Sequence, residues 1–147
     1  VQRAVELAEQ TARERGGCVM LGSIIHNAHV VQHLEQLGGI IAGPEEIRPG
    51  DTVLIRAHGE KKQVIGHLKD IGAECVDATC PNVLRVQQIV AQADAEGRVP
   101  IIIGDPNHPE VMGVASWSAR SVVFEGAEAL QRWLDEDPRG VSCRSRP

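Results

Sequence analysis

The strongest constraint on this chain is an alternation that runs almost its whole length. Short apolar runs are separated by stretches of helical periodicity. CVMLGSII (18–25), GIIAG (39–43), TVLIRA (52–57), AECVDATC (73–80), VPIIIG (99–104) and SVVFE (121–125) read as strands. Between them lie helical patterns at 1–17, 27–39, 60–72, 81–97, 109–119 and 126–137. In the first, Val1, Ala4, Val5, Leu7 and Ala8 share one face before Gly16–Gly17 stop the helix. In the second, Val30, Val31, Leu34 and Leu37 form the apolar stripe, and Asn27 is placed to cap it. Pro81 suits the first turn of the helix that follows Cys80. Strands joined by helix-length connections cannot pair as hairpins. They pair in parallel through crossovers. The expected fold is therefore α/β, built of alternating strand–helix units with mostly parallel sheets. A boundary at Cys80–Pro81 divides the chain into a first α/β domain (1–80), a second (81–134) and an irregular tail (135–147).

Composition removes several classes of function. Aromatic residues make up 2% of the 147, with no Tyr, so base-stacking single-strand binders are excluded. A net charge of −5 argues against a nucleic-acid backbone footprint, so an anionic ligand has to be held by local donors. No apolar run approaches the roughly 20 residues that cross a bilayer, and no segment reads as a signal peptide, so no membrane partner is expected. The cysteines at 18, 75, 80 and 143 form no C-x-x-C pair, as expected of a reduced, cytoplasmic protein. The chain starts at Val1, already in a helical pattern, which raises the expectation that something precedes it.

Four strands end in chemically capable side chains. LGSII runs into His26, TVLIRA into His58, CVDAT into Cys80, and PIIIGDPN into His108 and Glu110. Ligands of open parallel sheets bind at this carboxyl edge, where helix N-termini offer free N–H groups and a positive partial charge. Each residue alone has a plainer role. A loop histidine caps or satisfies its own turn, and an isolated cysteine is a small hydrophobe. The coincidence of four exits points to one shared site. Elsewhere, His29 and His33 follow His26 at helical spacing; this suits a solvated face better than zinc. Cys18 and Cys75 are expected in the core, and His67, Lys61, Lys62, Glu45 and Glu46 at the surface.

Taken in order, LGSIIHN, IRAHG, DATCP and IIIGDPNHPEVMG resemble the motifs of the LytB family of 4-hydroxy-3-methylbut-2-enyl diphosphate reductases. The resemblance covers residues 1–134. It implies two of the three α/β domains of a trefoil-like fold, the third being absent from this chain. It implies iron–sulfur reductive dehydroxylation of the diphosphate to isopentenyl and dimethylallyl diphosphate in the non-mevalonate isoprenoid pathway. A small redox carrier of ferredoxin or flavodoxin type would supply the electrons. It implies a 4Fe-4S cluster with Cys80 as a ligand, the only one of three expected cysteines present here. His26, His58 and His108 would line the diphosphate pocket, and Glu110 would donate the proton that lets the hydroxyl leave. One thiolate does not hold such a cluster, so the chain alone is expected to be incomplete and inactive; the alternative is a non-catalytic remnant that binds diphosphate weakly. The same histidines, with Cys80 and Glu110, would also suit a zinc hydrolase.

Overall fold

The computed structural model describes residues 2–22 and 27–136. Helix α1 (Gln2–Arg15) leads into β1 (Cys18–Leu21), followed by α2 (Ala28–Gln36) and β2 (Gly39–Ala42). A single 3-10 turn (Pro44–Glu46) connects to β3 (Thr52–Ile55), then α3 (Lys62–Asp70) and β4 (Glu74–Asp77). Helix α4 (Pro81–Ala95), β5 (Ile101–Ile103), α5 (Pro109–Ala115), β6 (Val122–Phe124) and α6 (Ala127–Glu136) complete the described chain.

The first four strands form one sheet in the order β2-β1-β3-β4, and β5 and β6 form a second. All pairings are parallel; β1 runs beside both β2 (Met20 opposite Ile41) and β3 (Met20 opposite Leu54). This is the α/β architecture expected from the alternation. The order reverses at β1, which leaves a crevice beyond the carboxyl ends of β1 and β3.

Alternation along each strand separates two cores. Cys18 and Met20 of β1 and Leu54 of β3 face one way, packing with Ala4, Ala8 and Ala12 of α1 and Leu34 of α2. The three alanines let α1 lie close on the sheet. Val19, Leu21, Val53 and Ile55 face the other way and pack on Leu68 of α3. No α-helix joins β2 to β3; Ile47 from that connection fills the second core, at 8% exposure. A third cluster gathers Val83 and Val90 of α4 with Val114 of α5, against Cys80, Ile102 and Trp117.

Strands and helices are shorter than their apolar runs. Strand β1 ends at Leu21 because Gly22 turns to φ +65°, a left-handed conformation that no strand continues. Strand β4 ends at Asp77, whose carboxylate accepts the Thr79 N–H at 2.8 Å and bends the chain away. The 44–51 link holds a 3-10 turn because the Glu46 carboxylate accepts the Gly43 N–H at 2.7 Å. The expected cap is formed: Asn27 Oδ1 accepts from the N–H groups of His29 and Val30. The expected tail at 135–147 lies outside the described residues beyond Glu136.

Candidate functional site

The site is assembled from three strand exits whose placement follows from backbone bonding. Pairing of β3 with β4 continues past the strands: Ala78 N–H donates to Ile55 O at 3.0 Å and Cys80 N–H to Ala57 O at 2.9 Å. These bonds fix Cys80 beside the peptide that precedes His58. Cys80 is the N-cap of α4, with Pro81 in the first turn. Its side chain makes no capping bond, so the half-buried thiol is left for other chemistry at the positive end of a 15-residue helix. The first turn of α1 reaches the same corner, where Arg3 Nη1 donates to Thr79 O at 3.2 Å.

His58 and Gly59 form the turn out of β3, closed by Gly59 N–H on Arg56 O at 2.9 Å. Gly59 has φ +75°, and a Cβ there would sit 2.7 Å from Gln87 Nε2 and 3.3 Å from Thr79 Cγ2. Only glycine can take both the left-handed backbone and this close approach to α4. The A-H-G triplet is therefore a device for laying the His58 turn directly on the helix that starts at Cys80.

His108 arrives from the other sheet. It is the N-cap of α5, and its Nδ1 accepts the Glu110 N–H at 3.2 Å. A neutral imidazole that accepts at Nδ1 carries its proton on Nε2, so Nε2–H remains a free donor. The His108 ring meets the His58 ring edge to face, with centroids 6.1 Å apart and planes at 89°. Glu110 lies half-buried in the first turn of α5. His58, His108, Glu110 and the Cys80 turn thus occupy one corner of the molecule. The fourth exit differs: His26 lies outside the described residues, which resume at its neighbour Asn27.

Several contributors gave no sign in the sequence. Arg56 and Glu60 flank A-H-G at i,i+4 and form an ion pair at 3.1 Å, with side chains 23% and 11% exposed. The other oxygen of Glu60 accepts the Lys61 N–H at 2.9 Å. Both residues line a cavity of about 400 Å³ at the ends of β2, β1 and β3, with Gly22 and Gly43 on its wall. Gln87 is 3% exposed, and its Nε2 lacks a partner among the described residues. A charged pair bracketing a glycine turn is visible in hindsight; Gln87 looks like any polar helix residue.

The remaining titratable groups are structural or exposed. Burial pushes the Cys18 thiol above its usual range. Cys75 is raised too, first by burial and then by Asp77, with Lys69 opposing. Both therefore stay neutral thiols at neutral pH. Exposed His33 reaches Glu9 on α1 at 3.4 Å through Nε2. No group of three His, Cys, Asp or Glu is placed to share a metal ion among the described residues, at His29–His33 or elsewhere. No described helix is long and apolar enough to cross a membrane.

Comparison with known proteins bears on the same residues. A family model described as LytB protein matches residues 1–143. The chain is 38% identical over 150 aligned positions to a 4-hydroxy-3-methylbut-2-enyl diphosphate reductase of Aquifex aeolicus, covering 99% of this chain and 52% of that protein. It is 39% identical over 134 positions to the reductase of that name from Helicobacter pylori, covering 89% and 47%. A solved structure of (E)-4-hydroxy-3-methyl-but-2-enyl diphosphate reductase, described as the terminal enzyme of the non-mevalonate pathway, superposes with a TM-score of 0.80 at 37% identity, over 92% of this chain and 50% of that one. The E-1-hydroxy-2-methyl-but-2-enyl-4-diphosphate reductase of Plasmodium falciparum superposes with a TM-score of 0.83 at 27% identity, over 93% and 43%. The chain spans about half the length of the relatives it matches.

Proposed function

This chain belongs to the LytB protein family, and from that premise we propose that it contributes part of the active site of a 4-hydroxy-3-methylbut-2-enyl diphosphate reductase. The observation that carries this is the meeting of His58 and His108, edge to face, from two different sheets. Two imidazoles brought together at strand exits, with Nε2 of His108 left uncommitted, suit the oxygens of a diphosphate. In a chain of net charge −5, such local donors do what a basic surface would do elsewhere. His26, from the exit of β1, would add a third donor.

The overall change consumes two electrons and two protons: the allylic C–O bond breaks, the hydroxyl leaves as water, and the product is isopentenyl or dimethylallyl diphosphate. Glu110 is the proposed proton donor. It sits two residues from His108, in the first turn of α5, so a substrate bound through His58 and His108 would present its hydroxyl end within this corner. The electrons would come from a small redox carrier of ferredoxin or flavodoxin type. An iron–sulfur cluster, when bound, supplies electron transfer and Lewis acidity. Cys80 fits one ligand position, being half-buried at a helix N-terminus with its thiol uncommitted. The described residues place no further ligands beside it, so they do not hold a 4Fe-4S cluster by themselves. The roles above belong to the chain's own side chains. The division into units 1–80 and 81–134, and a cytoplasmic setting, are part of the same proposal.

The test is titration of the chain with inorganic pyrophosphate and with the allylic diphosphate, followed by the imidazole signals of His58 and His108. Both signals are expected to move together. Each histidine-to-alanine change removes a charge-assisted bond, so affinity should fall roughly tenfold or more per site. Binding that is indifferent to both substitutions would overturn the assignment.

A further inference from the structure

A hydrogen bond just outside the corner joins the two helices that follow the histidine turns. Helix α3 begins just after the His58 turn, and its N-cap, Lys61, makes no side-chain cap bond. The acceptor comes from the other sheet's helix: Ser116, the C-cap of α5, accepts the Lys62 N–H on its Oγ at 2.9 Å and donates to Gly113 O at 2.6 Å. One hydroxyl therefore closes α5 and opens α3. Beside it, Gly113 lies next to the turn: a Cβ there would make ordinary contact, 3.7 Å from the Glu60 carbonyl and 3.9 Å from His58 O. Lys62 Nζ stands 5.7 Å from the centre of the Trp117 ring. His108 and Ser116 thus bracket the seven-residue α5, one end meeting His58 and the other holding the first turn of α3.

We propose that Ser116 is a positioning residue, pinning α5 to α3 so that His108 faces His58 in the geometry that binds diphosphate. The inference rests on the proposed function only for its ligand arm. The helix pin itself is a statement about geometry. Because the Lys62 N–H is exposed, losing the bond should change global stability little. Alignment of the two rings should change more, since α5 packs on α4 through Val114 while this hydrogen bond ties it to the first turn of α3, next to the His58 turn.

The experiment uses the full chain and three readouts: the ring-to-ring nuclear Overhauser effect between His58 and His108, exchange of the Lys62 amide, and affinity for inorganic pyrophosphate. Ser116→Ala is expected to lose most of the ring-to-ring effect, speed Lys62 amide exchange and weaken pyrophosphate roughly fivefold. Ser116→Thr keeps a hydroxyl and should restore all three. Lys62→Pro removes the donor while suiting a first helical position, where Lys61 already has the extended backbone (φ −63°, ψ 140°) that precedes proline. It should reproduce the Ser116→Ala loss of the ring contact, and it keeps the test valid if Ser116→Ala fails to fold. Lys62→Met controls for the ammonium. An unchanged ring contact in Ser116→Ala or Lys62→Pro would overturn the pin. If the ring contact is lost as expected but the wild-type chain does not bind pyrophosphate, the pin stands and the diphosphate assignment falls.

Discussion

Substituting Gly59 by alanine would test the packing that brings the His58 turn onto α4. Two costs arise. The left-handed φ of +75° costs an L-residue about 1 kcal/mol, part of which is returned by the stiffer unfolded chain. The second cost is steric. The new methyl would lie 2.7 Å from Gln87 Nε2, 3.3 Å from Thr79 Cγ2 and 3.5 Å from Val83 Cγ1. The Gln87 amide ends a flexible side chain, yet Gln87 is 3% and Thr79 2% exposed, so neither can swing into solvent. Forcing a methyl into such a site costs about 1–3 kcal/mol. The sum is about 2–3 kcal/mol, or roughly 5–10 °C in Tm for a chain of this size. Gly72 is the control: its φ is +78°, but nothing lies within 4 Å of a Cβ there. Gly72→Ala should cost about 1 kcal/mol or less, from backbone strain alone. Urea unfolding followed by tryptophan fluorescence measures both, because Trp117 packs on the Val83–Val90–Val114 cluster. If Gly59→Ala proves no more damaging than Gly72→Ala, the turn does not bear on α4 as described.

His108→Ala should lose about 1 kcal/mol of stability with the cap on Glu110; His108→Asn should recover that loss in a thermal melt but not pyrophosphate affinity, separating capping from binding. A double-mutant cycle on Arg56→Met and Glu60→Gln should show a coupling of about 1 kcal/mol, given how little of either side chain is exposed; zero coupling in urea unfolding would make the pair a bystander. Stability should also fall on the alkaline side. Burial raises the folded-state values of Cys18 and Cys75 above the ordinary thiol value of 9.0, so the folded chain holds protons that the unfolded chain releases. That contribution is intact below pH 9 and is lost as pH rises through the folded values. Denaturation midpoints between pH 8 and 11, compared with Cys18→Ala, would show it as a flatter decline in the variant. In the native chain a maleimide should label Cys80 before buried Cys18, read by mass spectrometry of the peptides.

Element types were legible because both periodicities are strong here and little competes with them. Element ends were not, since they depend on side chains that bend the backbone. The Asp77 carboxylate stops β4 before the apolar pattern does, and Ser116 ends α5 four residues short of the helical pattern that runs to 119. At the site, His58, Cys80, His108 and Glu110 could be picked out because each follows an apolar run at a helix start. A shared site was expected from the coincidence of strand exits, but the edge-to-face contact of His58 and His108 could not be read, because it depends on a non-local contact between two sheets. Lys62 was expected as a solvated charge. Its side chain is exposed, but its backbone N–H is the donor in the bond that joins α3 to α5. The exposed charge pattern cannot reveal that role.

The central position of β3 has a consequence for the lifetime of the site. Val53, Leu54 and Ile55 are all buried, and the strand is paired on both sides, by β1 and β4. Its amides can exchange with solvent only through the largest openings of the fold. Strand β2, at the sheet edge with Ile40 and Ile41 exposed, can fray on its own. His58 lies three residues past the end of β3, and Cys80 is tied to Ala57 between them. The His58 side of the corner therefore belongs to the part of the first sheet that opens least often, and it should outlast many excursions of the edge nearest the 3-10 turn.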